Sequence, residues 1–396
     1  MTDAARSNAT TTNTTAVVDE DLAQQARPGH GIPSQDPNPG AQMPLEAGEA
    51  EREAKSVLMG GGVMAGAAVG AGVGVMAAGP VGVVIGGTLG AVAGALGGAA
   101  AGAMANPSED VGDAAPASAV QLHIVDSGGN GRPVVLIHGW PLSSQAWEPQ
   151  TAALRAAGYR VVAYDRRGFG QSDKPASGYD YDTLADDLQQ VLDRCNLQDV
   201  TLVGFSMGGG EVARYIARHG QSRLHSVVFA AAVPPYLLTT PDNPEGPLAP
   251  EQAQQKKQSL TQDRPAFFDH FTTQFFSANG KLQVTDHQRT QAIALCEQSA
   301  QHAALACMDA FGTTDFRADL TQVTVPTLVI HGDADAIVPI AGSGQRTHRA
   351  VRDSQLVVIK GAPHGLNVSH ASAFNEALLS FLKAHAWAPY QAALAL

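Results

Sequence analysis

The feature that most constrains the fold is an apolar strand that runs directly into the sequence Gly204-Phe205-Ser206-Met207-Gly208. The strand covers Val200–Phe205, and an apolar helical pattern follows at Glu211–His219. A G-x-S-x-G sequence between a strand and a helix predicts a sharp turn that presents the serine hydroxyl at the edge of a sheet, because only small residues fit on either side. An inert serine in a small-residue turn has the same local pattern, so other parts of the chain must supply partners for Ser206.

Strand-like and helix-like segments alternate from residue 119 onward, which is typical of a mostly parallel sheet flanked by helices. Helices such as Tyr181–Cys195 lie between the strands, and Thr183 and Asp186 predict a capping box at the start of this helix. The sequence therefore predicts an α/β fold at 119–396, with a helical cap inserted at 234–319. The predicted strands are Val120–Val125, Val134–His138, Arg160–Asp165, Val200–Phe205, Ser226–Ala231, Thr327–His331 and Gln355–Ile359.

A serine nucleophile requires a general base and an orienting carboxylate, which follow it along the chain in the order acid, then histidine, in this kind of fold. The strand Thr327–His331 leads to two carboxylates, Asp333 and Asp335, and the next strand leads to His364 in a Pro-His-Gly loop. We predict Ser206 as the nucleophile, His364 as the base and Asp335 as the acid. Asp333 is the alternative acid.

Two backbone N–H groups are candidates for stabilising an oxyanion near Ser206. One belongs to Met207, at the start of the helix that follows the serine, where the positive end of the helix dipole also lies. The other belongs to Trp140, in the loop His138-Gly139-Trp140-Pro141 after an earlier strand.

Apolar side chains predict a pocket for an acyl chain beside these groups. Phe267, Phe271 and Phe275 recur every four residues and therefore share one helix face. Ile337 and Val338 adjoin the predicted acid and are expected in the pocket wall. The phenylalanines would equally suit a helix that only packs the cap onto the sheet, and the spacing does not separate these interpretations.

Charge and composition exclude several function classes. The net charge of −12 leaves no general basic surface for nucleic acid. The three cysteines, Cys195, Cys296 and Cys307, are too scattered for a disulfide framework or a metal site, and we predict small buried side chains in a reducing compartment.

Several histidines and one glycine-containing loop lie near the predicted site without the spacing that a metal or phosphate needs. His138, His331 and His370 form no paired-histidine pattern, so we predict structural roles for them and neither a metal nor a cofactor. The loop Asp165–Gly170 lacks a phosphate-binding motif, and we predict a turn tied by Asp165.

The N-terminal region has a different character. Residues 1–55 are polar, show no signal-peptide pattern and are predicted to be disordered. Residues 56–108 contain no charge and 16 of the 42 glycines, many spaced by four residues, which predicts a glycine-zipper hairpin of two helices near 57–78 and 81–104. A flexible linker is the alternative, because glycine weakens a helix by about 1 kcal/mol relative to alanine. A linker at 109–118 follows.

A family resemblance covers the chain from about residue 119 to its end. The stretches VVLIHGWPLSSQAWEPQ, VVAYDRRGFGQSDKP, LVGFSMGGGEVARYIARHG, VPTLVIHGDADAIVP and GAPHGLNVSH resemble α/β-hydrolases of the cofactor-free haloperoxidase, arylesterase and perhydrolase group. The resemblance implies that Ser206, Asp335 and His364 form a catalytic triad, with Trp140 and Met207 supplying the oxyanion hole. In that group, a proline after the tryptophan, here Pro141, accompanies perhydrolysis, in which hydrogen peroxide replaces water.

These observations predict a serine esterase that acts on a small ester without a cofactor, and the resemblance implies a perhydrolase side activity. The zipper predicts membrane association through 56–108, with tail and catalytic domain both in the cytoplasm, and permits a homo-oligomer. A cytoplasmic protein without membrane contact is the alternative location. The alternative function is a membrane scaffold or pore-like protein in which the hairpin is the active part.

Overall fold

The computed structural model describes residues 120–385. The predicted tail, glycine-zipper hairpin and linker at 1–118 lie outside the described residues, and so do the last eleven residues of the chain. None of the helices in the described range is both long enough and apolar enough to cross a membrane.

A seven-stranded sheet forms the centre of the described region, with the strand order β1-β3-β2-β4-β5-β8-β9. All neighbouring pairs are parallel except β1 and β3. A separate two-stranded sheet joins β6 and β7. The strands are β1 (Ile124–Asp126), β2 (Pro133–Ile137), β3 (Arg160–Tyr164), β4 (Val200–Phe205), β5 (Leu224–Ala230), β6 (Ser277–Ala278), β7 (Lys281–Leu282), β8 (Thr327–Gly332) and β9 (Gln355–Ile359).

This strand pairing confirms the predicted mostly parallel sheet. The sequence predicts it because the central strands are continuous apolar runs, as expected for strands that are covered on both faces. β4 is buried at all six residues and β8 likewise, and each has a neighbouring strand on both sides. The first predicted strand, Val120–Val125, is wrong in its bounds: only Ile124–Asp126 pairs with β3, whereas the carbonyl groups of Gln121 and His123 accept hydrogen bonds from the N–H groups of Asp173 and Asp165.

Helices pack around this sheet, and the insertion between β5 and β8 carries the predicted cap helices. The helices are α1 (Glu148–Ala156), α2 (Tyr181–Arg194), α3 (Met207–His219), α4 (Pro250–Gln262), α5 (Arg264–Phe275), α6 (Asp286–Glu297), α7 (Gln301–Thr313), α8 (Arg317–Leu320), α9 (Gly344–Ala350), α10 (Leu366–Ser369) and α11 (Ala371–Ala384). Of these, α4 to α8 belong to the insertion.

The predicted capping box of α2 is wrong. Asp180 is the N-cap residue, and its side chain accepts hydrogen bonds from both the N–H and the hydroxyl of Thr183. Thr183 therefore lies inside the first turn, where its N–H is one of the groups that a cap must satisfy. Asp186 instead pairs with Arg218 of α3.

The cysteines are placed much as their small apolar character predicts. Cys296 and Cys307 are buried, and burial raises the pKa of the Cys307 thiol to about 12. Cys195 departs from the prediction: it is half-buried, since it follows the exposed C-terminal end of α2.

Candidate active site

Ser206 lies at the turn between β4 and α3 with backbone angles φ 54° and ψ −117°, a conformation that residues other than glycine rarely adopt. Its N–H donates to the carbonyl of Ala230 in the neighbouring strand, which holds the turn against the sheet. The flanking glycines are required: a Cβ on Gly204 would lie 2.5 Å from the carbonyl oxygen of Gly208, and one on Gly208 would lie 2.6 Å from that of Ile137. The turn thus fixes the serine hydroxyl at the carboxyl end of the sheet.

The structure brings His364 and Asp335 to this hydroxyl. The Ser206 Oγ lies 2.9 Å from His364 Nε2, and His364 Nδ1 lies 2.7 Å from Asp335 Oδ2. The other carboxylate oxygen, Oδ1, accepts hydrogen bonds from the N–H groups of Ile337 at 2.9 Å and Val338 at 2.8 Å. Each partner follows its strand, Asp335 after β8 and His364 after β9, so the parallel sheet collects all three at one edge.

Between the two carboxylates that the sequence offered, Asp335 is the one that contacts His364. Asp333 is exposed, and its side chain accepts a hydrogen bond from the N–H of Gly361. Asp333 therefore joins the loop after β8 to the loop after β9.

His331 contacts the same carboxylate oxygen of Asp335 as His364 does. Its Nε2 lies 2.8 Å from the carbonyl oxygen of Val338 and 3.3 Å from Asp335 Oδ2. Because both neighbours are acceptors, Nε2 must carry the proton. The buried Nδ1 has no hydrogen-bond partner among the described residues.

These contacts set the charge of Asp335. Burial by itself would raise the pKa of the carboxyl, but the charge of His364 and the hydrogen bonds from His331 and His364 outweigh burial. The pKa of Asp335 consequently lies well below its usual range, and the group is a carboxylate at neutral pH.

The loop that carries Trp140 lies directly against the serine. A Cβ on Gly139 would lie 3.0 Å from the Cβ of Ser206, which places the next residue in the chain, Trp140, beside the hydroxyl. The Trp140 indole donates to the carbonyl of Ala304 in α7 at 3.0 Å. Met207 is the first residue of α3, where N–H groups have no acceptor within the helix. Met207 follows Ser206 directly in the chain and Trp140 lines the same cavity as Ser206, and their role as the two oxyanion donors stays a prediction.

A cavity of about 570 Å³ opens onto Ser206 from beneath the cap. It is lined by Phe267, Phe271, Ile337 and Val338, all of which the sequence placed in a pocket. The third phenylalanine, Phe275, does not line this cavity, although its ring lies 5.4 Å from that of Phe271. Its ring lies 5.2 Å from the His364 ring and 6.0 Å from that of Phe205. Both sequence interpretations of the phenylalanine face therefore hold, each for different rings.

A buried polar network beneath the Trp140 loop was not predicted. Arg166 forms an ion pair with Glu211 and donates to the carbonyl of His138 at 2.7 Å, and Tyr164 donates to Glu211 at 2.7 Å. Burial, together with the nearby charge of Arg166, lowers the pKa of His138 to about 3, so this imidazole is neutral. The network braces the chain immediately before Gly139.

Asp165 ties the turn that carries this arginine, as the sequence predicts. Its carboxylate accepts from the N–H groups of Ser144 at 2.7 Å and Gln171 at 2.8 Å. His370, the remaining histidine near the site in sequence, is the N-cap residue of α11. Within residues 120–385, no group of three or more His, Cys, Asp or Glu side chains is arranged to hold a metal ion.

Known proteins that are similar to this chain share the fold described above. Residues 132–371 match the family model described as alpha/beta hydrolase fold. A non-heme chloroperoxidase from Kitasatospora aureofaciens is 42% identical over 257 residues, which are 64% of this chain and 93% of that protein. A bifunctional esterase/perhydrolase from Acinetobacter calcoaceticus is 35% identical over 270 residues, or 67% and 96% of the two chains.

A solved structure is also similar to this chain. The crystal structure of bromoperoxidase from Bacillus anthracis is 52% identical, covers 67% of this chain and 96% of its own, and superposes with a TM-score of 0.66. With a family match over more than half of the chain and relatives covered almost completely, the protein belongs to the α/β-hydrolase family, with non-heme haloperoxidases among its relatives.

Proposed function

We propose that this protein is a serine-dependent carboxylic ester hydrolase with a perhydrolase side activity. The observation that carries the proposal is the continuous contact from Ser206 Oγ through His364 to Asp335, at 2.9 Å and 2.7 Å. The relatives described as a non-heme chloroperoxidase and an esterase/perhydrolase support the same reaction class.

Acylation begins when His364 Nε2 removes the proton of Ser206 and the Oγ attacks the ester carbonyl carbon. The oxyanion that forms accepts hydrogen bonds from the N–H groups of Trp140 and Met207. Asp335 holds the imidazole in the tautomer with a bare Nε2 and stabilises the imidazolium. Collapse of the tetrahedral intermediate breaks the bond to the alcohol, which leaves with the proton from His364.

Deacylation repeats these steps with a second nucleophile. Water, deprotonated by His364, releases the carboxylic acid, whereas hydrogen peroxide in the same place releases a percarboxylic acid. The percarboxylic acid then oxidises halide in solution, and this requires neither heme nor metal. Serine at position 206 argues against a dehalogenase or epoxide hydrolase, since those reactions need an aspartate nucleophile.

Hydrolysis of p-nitrophenyl acetate tests the esterase proposal. We expect p-nitrophenol release by the wild-type protein and its loss in Ser206→Ala. Equal turnover by the two proteins would contradict the proposal. The perhydrolase part is tested by bromination of a chromogenic acceptor with acetate ester, bromide and hydrogen peroxide, and it requires Ser206 in the same way.

We further propose membrane association through residues 56–108. The glycine register in this stretch supports it: Gly82 to Gly102 recur every four residues over six positions, in a segment without charge. In this arrangement the hairpin anchors a catalytic domain on the cytoplasmic side. Fractionation of the full chain against a chain beginning at Ala115 tests the proposal: we expect only the longer protein to sediment with membranes or to self-associate. Two soluble monomers would contradict it.

A further inference from the structure

The methionines at the site have different surroundings. Within residues 120–385 the methionines are Met207 and Met308. Met207 is fully buried, whereas Met308 is 8% exposed and lines the cavity that contains Ser206. The sulfur atom of Cys307, next to it in the chain, is buried and remains a protonated thiol at neutral pH, because burial raises its pKa to about 12. Among the sulfur-containing side chains of the described region, Met308 is therefore the one that borders this cavity, and it can be oxidised there.

The position of Met308 in α7 places it beside the oxyanion loop. Ala304, Met308 and Phe311 lie four and three residues apart and so share one face of the helix. The carbonyl of Ala304 accepts from the Trp140 indole at 3.0 Å, and the ring of Phe311 lies 5.8 Å from that of Trp140. Met308 is thus on the helix face that meets Trp140, the residue proposed to bind the oxyanion.

We propose that Met308 is a modification site at which the percarboxylic acid made by this protein oxidises the enzyme that made it. The inference rests on the proposed perhydrolysis, which generates the oxidant at Ser206, in the cavity that Met308 lines. The terminal peroxidic oxygen of the acid transfers to the thioether sulfur: the O–O bond and the O–H bond of that oxygen break, an S–O bond forms, and the hydrogen moves to the carbonyl oxygen, which leaves a carboxylic acid. The sulfur is oxidised by two electrons and the peracid is reduced by two.

Oxidation of Met308 changes the cavity from apolar to polar at this point. A sulfoxide carries a strong hydrogen-bond acceptor, and an apolar acyl group placed against it leaves that acceptor without water. Binding of apolar esters therefore weakens as the enzyme turns over in the presence of peroxide. Because methionine sulfoxide is reducible by cellular reductases, the loss of activity is reversible.

Mass spectrometry of the full-length protein tests the inference. The wild-type protein is incubated with phenyl acetate and hydrogen peroxide, and the peptides containing Met207 and Met308 are compared. We expect Met308 to gain one oxygen atom in proportion to turnover while Met207 stays reduced, and the same treatment of Ser206→Ala to leave Met308 reduced. Met308→Leu, which conserves volume, should lose activity several-fold more slowly than wild type, with each rate normalised to that protein's own starting activity.

The outcomes distinguish this inference from the proposed function. Peracid formation without oxidation of Met308, equal oxidation in Ser206→Ala, or equal inactivation of Met308→Leu and wild type would overturn the inference alone. Failure of the wild-type protein to form peracid from ester and peroxide would overturn the perhydrolysis proposal and this inference together.

Discussion

Replacing Asp335 by asparagine should disable the site without removing any atom that packs in it. The two N–H groups of Ile337 and Val338, at 2.9 and 2.8 Å from Oδ1, require an acceptor and so fix the asparagine carbonyl oxygen at that position. The amide nitrogen then occupies the position of Oδ2, which lies 2.7 Å from His364 Nδ1. A donor at that position forces Nδ1 to accept, and the proton moves to Nε2.

An imidazole with the proton on Nε2 cannot remove the proton of Ser206, so the loss falls on kcat. From the effect of a wrong histidine tautomer in a serine hydrolase we expect a loss of about 10³- to 10⁴-fold, or about 4 to 5.5 kcal/mol of transition-state stabilisation. Steady-state hydrolysis of p-nitrophenyl acetate measures it, with circular dichroism to show that the variant is folded.

Asp333→Asn is the matched control, because it makes the same chemical change two residues away. Asparagine at position 333 still offers Oδ1 to the N–H of Gly361, and it has no contact with His364. We expect less than about a tenfold change in kcat/KM, since the exposed loop contact is retained. Activity of Asp335→Asn within tenfold of wild type, or an equal loss in Asp333→Asn, would refute the reasoning.

Three further predictions concern stability and specificity. Arg166→Met should lower the free energy of unfolding, measured in urea, by about 3 to 5 kcal/mol, because Glu211 is left charged and buried. Adding Glu211→Leu should recover part of this loss, and a double variant as unstable as Arg166→Met would contradict the prediction. Folding lowers the pKa of Asp335, so the carboxylate contributes to the free energy of unfolding above about pH 4, and this contribution is lost as the pH falls through the lower folded-state pKa. Urea unfolding at a series of pH values measures this pH dependence, which we expect to be smaller in Asp335→Asn. Phe271→Ala should raise KM for long-chain esters more than for acetate, measured with p-nitrophenyl esters of increasing chain length; a uniform rise would place the ring outside the acyl site.

The parts of the molecule that the sequence predicts well are those with a local physical cause. β4 and β9 have the predicted bounds, because each is an apolar run that ends at a turn residue. The candidate triad was predictable in turn, since Ser206, Asp335 and His364 each follow a strand and parallel strands end at one edge. The cap of α2 was misplaced because both Thr183 and Asp180 have suitable side chains, and only the backbone distinguishes them.

The parts that the sequence missed depend on side-chain contacts that no motif or spacing reveals. Arg166 and Glu211 are 45 residues apart, and no sequence motif at either position predicts that the two side chains pair. The contact of His331 with Asp335 arises because the loop after β8 turns back over its own strand. A four-residue spacing placed Phe275 with Phe271, yet a helix face is wide enough for one ring to meet the cavity and the next to meet His364.

The covalent intermediate tests the central claim most directly. The full-length protein is mixed with p-nitrophenyl acetate, quenched in acid within the first turnovers and digested for mass spectrometry. The account predicts one acetyl group on the peptide that contains Ser206, accumulating with the first equivalent of p-nitrophenol and absent from Ser206→Ala. Rapid turnover with an unmodified Ser206, or an acetyl group on another residue, would contradict it.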